Sequence, residues 1–489
     1  MDNESRKNRA SAIESKGSAR NVKEPSVSMG RPVSIKIAYV GGGSTGWAHI
    51  LMNDLATTTG LTGEVALYDL DFGASLLNER FGNLLQTMPG VVSRFKYRAV
   101  PRLADALMGA DFVVCSITPA PLSYMRYDVD IPQKYGIFQT VGDTVGPGGI
   151  MRAMRAIPIY EGFAHAFMRY CPRAWIINYT NPMTVLTRTL TKVEPHLKVF
   201  GCCHEVFGTQ SLLGLRVAKK YKVPKPPREE IQVNVMGINH FTWVDKATWK
   251  GRDLLKLVRE EMQRKGARKR FTPAQMARQL KENNGLPWGI HNNQIVYELF
   301  ERFTILPAAG ERHLAEFLPG FCGSAAEVNR WGIVQTPIDF RLKNKKHADV
   351  QRLEALRKKK ILIEASGEEG VLQMKALLGL GSFITNVNVE NQGQIPNLPR
   401  NAVVETNARF SRNSVKPINA GPLPAGVLGL VERHVRGQEL IVEGALKRDL
   451  GLCFQAFCAD PLVTCPMDKA HEMFERMVAG TRAFLKGYK

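Results

Sequence analysis

The chain alternates between short apolar runs and amphipathic stretches. IKIAYV (35–40) is an apolar, strand-like run, and GGGSTGWAHILMNDLA follows it, passing from glycines into an amphipathic helix. EVALYDLD (64–71), DFVVCSI (111–117), AWIINYT (174–180) and KVFGCC (198–203) repeat the strand signal, and together they predict a parallel sheet in an α/β fold. Beyond residue 200 the pattern is mixed. IQVNVMGINHFTWV (231–244) alternates as strands do, and GVLGLVERHVRGQELIVEGAL (426–446) carries the period of one long helix.

The first strand–loop–helix unit contains Gly41-x-Gly43-x-x-Gly46, and the second strand ends in Asp69. This is the dinucleotide fingerprint: glycines let the backbone approach a pyrophosphate at a helix N-terminus, and the acid accepts from a ribose 2′-OH. An acid in that place disfavours a 2′-phosphate, so NAD is expected over NADP. Gly41, Gly43, Ser44, Gly46 and Asp69 are the candidate cofactor residues. The chain is read as a disordered basic tail (1–34), an NAD-binding Rossmann domain (35–200) and a mixed α+β domain (201–489), which the resemblance described below implies to be the metal- and substrate-binding catalytic domain.

Composition narrows the classes. The chain has 489 residues, of which 44 % are hydrophobic, enough for a large core. No apolar run approaches the roughly 18 residues that span a bilayer. The first 30 residues are polar, with no apolar signal region, and Asp2, Glu4, Glu14 and Glu24 argue against a transit peptide. Eight scattered cysteines without a CxxC pair suggest reduced thiols and a cytoplasmic setting. The formal charge of +21 reads first as solvated Lys/Arg faces, such as 264–270 and 343–360. No nucleic-acid module accompanies it, and a field that attracts a small anionic substrate is the other reading.

Ligands of parallel sheets sit beyond the carboxyl ends of the strands. The residues offered near that edge are Asp143 in VGDTVGPGG, Asn181 in NYTNP, Cys203-His204-Glu205, and His240 in GINH. Each alone has an ordinary reading: a packed cysteine, a satisfied histidine, an Asn-Pro turn. Together with GGGST (41–45), IPQKYGIFQTVGDTVGPGG (131–149), INYTNPM (177–183), CHEV (203–206), GINH (237–240) and IPNLPRNAVVE (395–405), they make the chain resemble glycoside hydrolase family 4.

That resemblance implies a fold related to the lactate and malate dehydrogenases, with NAD and Mn2+ as cofactors. It implies Cys203 and His240 as metal ligands, and His204 as the leaving-group acid or its helper. Asp143, Asn181 and Glu205 would hold sugar hydroxyls. Glu311 falls at the position of the base that removes the C2 proton, with Tyr297 in reserve; the plain alternative for Glu311 is an exposed acid at a helix start. The implied reaction oxidises C3, deprotonates C2, eliminates the C1 group and returns the hydride, with no net redox change. CHEV resembles the signature of α-galacturonidases, whereas CHSV marks α-galactosidases. The expected substrate is thus a small anionic sugar, an α-galacturonide, held by arginines among Arg302, Arg312, Arg400 and Arg409. α-Galactosidase or α-glucuronidase activity is the alternative, and an NAD-dependent 2-hydroxy-acid dehydrogenase is the rival class. Neither nucleic acid nor membrane is an expected partner, and family likeness suggests a homodimer or tetramer.

Overall fold

The computed structural model describes residues 31–489. Most of the tail assigned to 1–34 therefore lies outside the described residues, and its last two, Val33 and Ser34, open the first strand. Thirteen strands follow in chain order: β1 Val33–Val40, β2 Leu61–Tyr68, β3 Arg94–Ala99, β4 Phe112–Cys115, β5 Trp175–Asn178, β6 Lys198–Gly201, β7 Gln232–Ile238, β8 Phe241–Trp249, β9 Arg252–Asp253, β10 Leu306–Pro307, β11 Phe383–Glu390, β12 Val403–Ser411 and β13 Ser414–Pro417.

The main sheet has the order β13-β12-β11-β6-β5-β4-β1-β2-β3. Its segment from β3 to β6 is parallel and has the doubly wound order of a Rossmann fold. Period-two geometry explains the apolar strands. In β1, Ala38 and Val40 enter the core on one face, and Ile37 and Tyr39 enter the core on the other. A strand covered on both faces reads as a continuous apolar run.

The sheet does not stop at the Rossmann unit. β11 pairs antiparallel with β6, Asn388 opposite Gly201, and β12 and β13 extend it. The second sheet, β10-β8-β7 with β9 on β8, is antiparallel. Asn239 and His240 form its β7–β8 turn, where His240 adopts the left-handed φ of 64°. The expected long helix runs Ala425–Lys447 and packs on helix Gly146–Tyr170. Among the described residues no helix is long and apolar enough to cross a membrane.

Candidate active site

The strand order reverses between β1 and β4, and the crevice that opens there lies at the carboxyl ends of the parallel strands. Gly41 leaves β1 at φ 101°, and a Cβ on it would fall 1.9 Å from the Ser116 carbonyl oxygen. A Cβ on Gly43 would fall 2.7 Å from that of Ala74. At Gly46 the added atom would meet nothing nearer than Ser44 Oγ at 4.0 Å, so the helix start is open. The Gly43 amide donates to Asp69 Oδ2 at 3.0 Å, and Asn78 Nδ2 donates to the carbonyls of Gly42 and Ser44. Arg352, from helix Ile338–Lys358, closes the loop from outside, donating to Asn78 Oδ1 at 3.0 Å and to the Gly43 carbonyl at 3.4 Å. Sequence reasoning found the loop and missed Arg352 and Asn78.

A second group lies across the loop that precedes helix Gly146–Tyr170. Asp143, His240 and His313 present ligand atoms within 4.8 Å of one another. The two imidazoles face each other with ring centroids 3.8 Å apart. Thr144 Oγ1 donates to Asp143 Oδ1 at 2.7 Å and lies 2.9 Å from His240 Nδ1. A hydroxyl has one proton; with that proton on Asp143, Thr144 accepts from Nδ1–H, and His240 Nε2 is left with a free lone pair. Burial, then the neighbouring His313, pushes His240 down to about 3, so its imidazole is neutral. Burial alone would raise Asp143, but the neighbouring His313 and Arg152 hold it well below the usual carboxylate range.

Three further polar atoms here are buried without a hydrogen-bond partner: Asn181 Oδ1, Asn239 Oδ1 and His313 Nδ1. Asn181 Nδ2 is 3.4 Å from Asp143 Oδ2, so these two residues, both expected near the sheet edge, lie side by side. Cys203 is buried beside Asn239, the residue before His240. Burial, with Glu405 and Glu205 close by, pushes its thiol well up, so a cation binding there must displace a proton. The compact ligand group thus includes His240 and Asp143 and adds His313, which lies two residues from the Glu311 singled out above. Cys202 is core, as expected, with Gln373 Nε2 on its sulfur.

The acids around this group differ sharply. Glu205 accepts from the Gly310 amide at 2.5 Å; burial opposes its charge, but His313, His204 and that amide hold it at about 2. Glu405 on β12 accepts from Asn386 at 2.7 Å and Asn239 at 3.2 Å, and burial pushes it up to about 7. His204, half-exposed at the start of helix Glu205–Tyr221, pairs with Glu368 at 3.1 Å. Burial works against its charge, yet Glu368, then Glu205 and Glu405, raise it to about 9.

Glu311 is buried rather than exposed. Its oxygens accept from the amides of Asn293 and Ile295, both at 2.6 Å, at the N-terminus of helix Gln294–Phe303. Burial raises it to about 7 against those amides. Tyr297 packs in the core between β8 and helix Glu205–Tyr221, with its hydroxyl 3.4 Å from Arg216. Of the four proposed arginines, Arg302 pairs with Glu298 in the open, and Arg400 and Arg409 are exposed. Arg312 alone turns inward, toward Thr140 and Thr336.

Known proteins resemble this chain over most of its length. Residues 36–218 match the family described as family 4 glycosyl hydrolase, and residues 235–463 match its C-terminal domain. A protein of Thermoanaerobacterium saccharolyticum named alpha-galacturonidase is 45 % identical over 464 residues, covering 94 % of this chain and 98 % of its own. The crystal structure of a Bacillus subtilis protein described as a candidate glucosidase superposes with a TM-score of 0.85 at 46 % identity, covering 91 % of this chain and all of the other. A 6-phospho-alpha-glucosidase from gut microorganisms, solved in complex with NAD and Mn2+, shares the fold at TM-score 0.74 and 20 % identity, over 92 % of this chain and 99 % of its own.

Proposed function

Because this chain belongs to the family 4 glycosyl hydrolases, we propose that it releases α-linked galacturonic acid from the non-reducing end of its substrate, using NAD and Mn2+. The observation that carries this reading is the near end-to-end match to a protein named alpha-galacturonidase, together with the CHEV sequence at residues 203–206.

The residues fit both groups. The open helix start at Gly46 and the bare glycine loop suit a pyrophosphate, and Asp69 lies beside them. Asp143, His240 and His313, with the orphaned Asn181 Oδ1, suit a divalent cation, and Cys203 is kept as a further ligand from the family likeness. When bound, the nicotinamide supplies a reversible hydride acceptor for C3, and the metal supplies a Lewis acid for the C3 oxygen.

The chain's own groups then act as follows. Glu205, anionic and anchored by Gly310, accepts from a sugar hydroxyl. His204 delivers its proton to the C1 leaving oxygen, and Glu368 keeps it protonated at neutral pH. The C2 proton is assigned to Glu311, which burial holds near neutrality, in preference to Tyr297, whose hydroxyl is directed to Arg216. We also read the protein as a cytoplasmic homo-oligomer, for which sedimentation gives the test.

The test incubates the protein with Mn2+, a reductant, NAD+ and p-nitrophenyl glycosides. Phenol should be released from the α-galacturonide without accumulation of NADH. Faster cleavage of the neutral α-galactoside would refute the substrate, and stoichiometric NADH would mark a dehydrogenase instead.

A further inference from the structure

We infer that Arg312 and Arg341 together hold the substrate's C6 carboxylate and so select a uronic acid over the neutral sugar. The inference deepens the proposed function and rests on it.

The two residues come from different elements, Arg312 from helix Glu311–Leu314 and Arg341 from the first turn of helix Ile338–Lys358. They converge on one loop. Arg312 Nη2 donates to the Thr140 carbonyl at 3.2 Å and to Thr336 Oγ1, and Arg341 Nη2 donates to the Val141 carbonyl at 2.8 Å. Each guanidinium keeps a buried Nε with no hydrogen-bond partner. Among the described residues neither has a carboxylate within 4.0 Å.

Among the described residues Arg152 also lacks a paired carboxylate, but its Nε is taken by the Asn181 carbonyl at 2.8 Å, and Arg155 and Arg352, which share an unpartnered Nε, are ion-paired, as is Arg188. Arg155 is locked on Asp128 at 2.5 Å, Arg188 on Glu390 and Glu439, each at 2.8 Å, and Arg352 on Asp349 at 2.9 Å. A half-buried guanidinium that forms no ion pair is costly, and two side by side repel each other, a penalty that Glu316 and Asp143 nearby offset only in part. Burial and the neighbouring Arg341 lower Arg312 to about 10, which still leaves it charged at neutral pH. An anion placed between them removes both penalties.

The nearby acids are already engaged. Glu316 Oε1 accepts from the amides of Val141, at 2.5 Å, and Gly142, at 3.0 Å, and from Thr140 Oγ1. Glu205 is held by Gly310, and Asp143 belongs to the candidate metal group. Asp143 is two residues past Val141, at most about 7 Å of extended backbone. A single sugar ring therefore reaches from the metal group, with its ring hydroxyls, to the arginine pair, with its carboxylate. Two planar forks suit a carboxylate because each presents paired N–H donors.

The experiment compares wild type with Arg312→Gln, Arg341→Gln and the two Lys counterparts. It measures kcat/KM on p-nitrophenyl α-galacturonide, and titrates galacturonate and galactose in the presence of NAD and Mn2+. Each Gln variant should lose roughly 30-fold or more in kcat/KM and in galacturonate affinity, with galactose and NAD affinity unchanged. Each Lys variant, which keeps the charge without the fork, should fall between; should a Gln variant fail to fold, its Lys counterpart carries the comparison. Unchanged galacturonate binding overturns the inference, as does an equal loss for galactose. A wild type that leaves the uronide intact refutes the proposed function and the inference with it. A wild type that cleaves it, alongside Gln variants that cleave it as well, refutes the inference alone.

Discussion

His204 stands half-exposed against Glu368, and that pairing has a pH signature. Its folded value near 9 lies above the ordinary 6.5, so the pair stabilises the fold fully below about 6.5 and is lost as pH rises through about 9. The same proton is the one proposed for the leaving group, so kcat should decline above about pH 9. In Glu368→Gln that alkaline limb should move down by roughly one to two pH units, read from a pH–rate profile. Thr144 offers a second test, because it orders both Asp143 and His240. Thr144→Val should weaken Mn2+ binding by about 10- to 100-fold in a metal titration while the fold persists. These residues differ in how visible they were. His240 and Cys203 sit in local motifs at strand ends and could be read directly. His313, Arg341 and Glu368 gain meaning only through packing between distant segments, as the 200-residue separation of Arg341 and Val141 illustrates.

Among elements, the β1–loop–helix unit is where sequence and structure agree most closely. Its glycines are dictated by geometry, since Gly41 combines a left-handed φ of 101° with the Ser116 carbonyl at its back. Gly41→Ala should therefore abolish NAD binding, measured by fluorescence titration, and lower the melting temperature as β1 and β4 are forced apart. Five of the six parallel strands were legible as apolar runs; the edge strand β3, RFKYRA, was not, because charged residues occupy its exposed face. β11 and β12 were not, because they bury polar side chains. Asn386, Asn388 and Glu405 point inward, with Asn386 bonded to the Cys203 carbonyl at 3.1 Å, and this interrupts the apolar alternation that identifies a strand. Glu311 shows the same limit on a helix. Asn293, in the left-handed region, makes no side-chain cap for helix Gln294–Phe303, so a carboxylate from 18 residues away supplies it.

Across the whole molecule, the sheet joins what the sequence reads as separate parts. The register of β11 on β6 fuses the dinucleotide crevice with strands that arrive nearly 200 residues later, so the site is framed by one continuous sheet. Helix Ile338–Lys358 ties the same regions together from outside. Arg341 near its start faces the loop of Thr140–Asp143, and Arg352, eleven residues on, holds the glycine loop at Gly43. At about 1.5 Å per residue the two arginines are some 16 Å apart on one rod. Anything that fixes one end also restricts the other, and such coupling is reciprocal. Galacturonate should thus tighten NAD binding, and NAD should tighten galacturonate binding by the same factor. Arg352→Gln should reduce that factor toward one, and matched titrations of each ligand with and without the other will read it. On this view the helix is a thermodynamic link, through which an occupied sugar site reports its presence to the glycine loop at the far end of the nucleotide, beyond the place where C3 meets the nicotinamide.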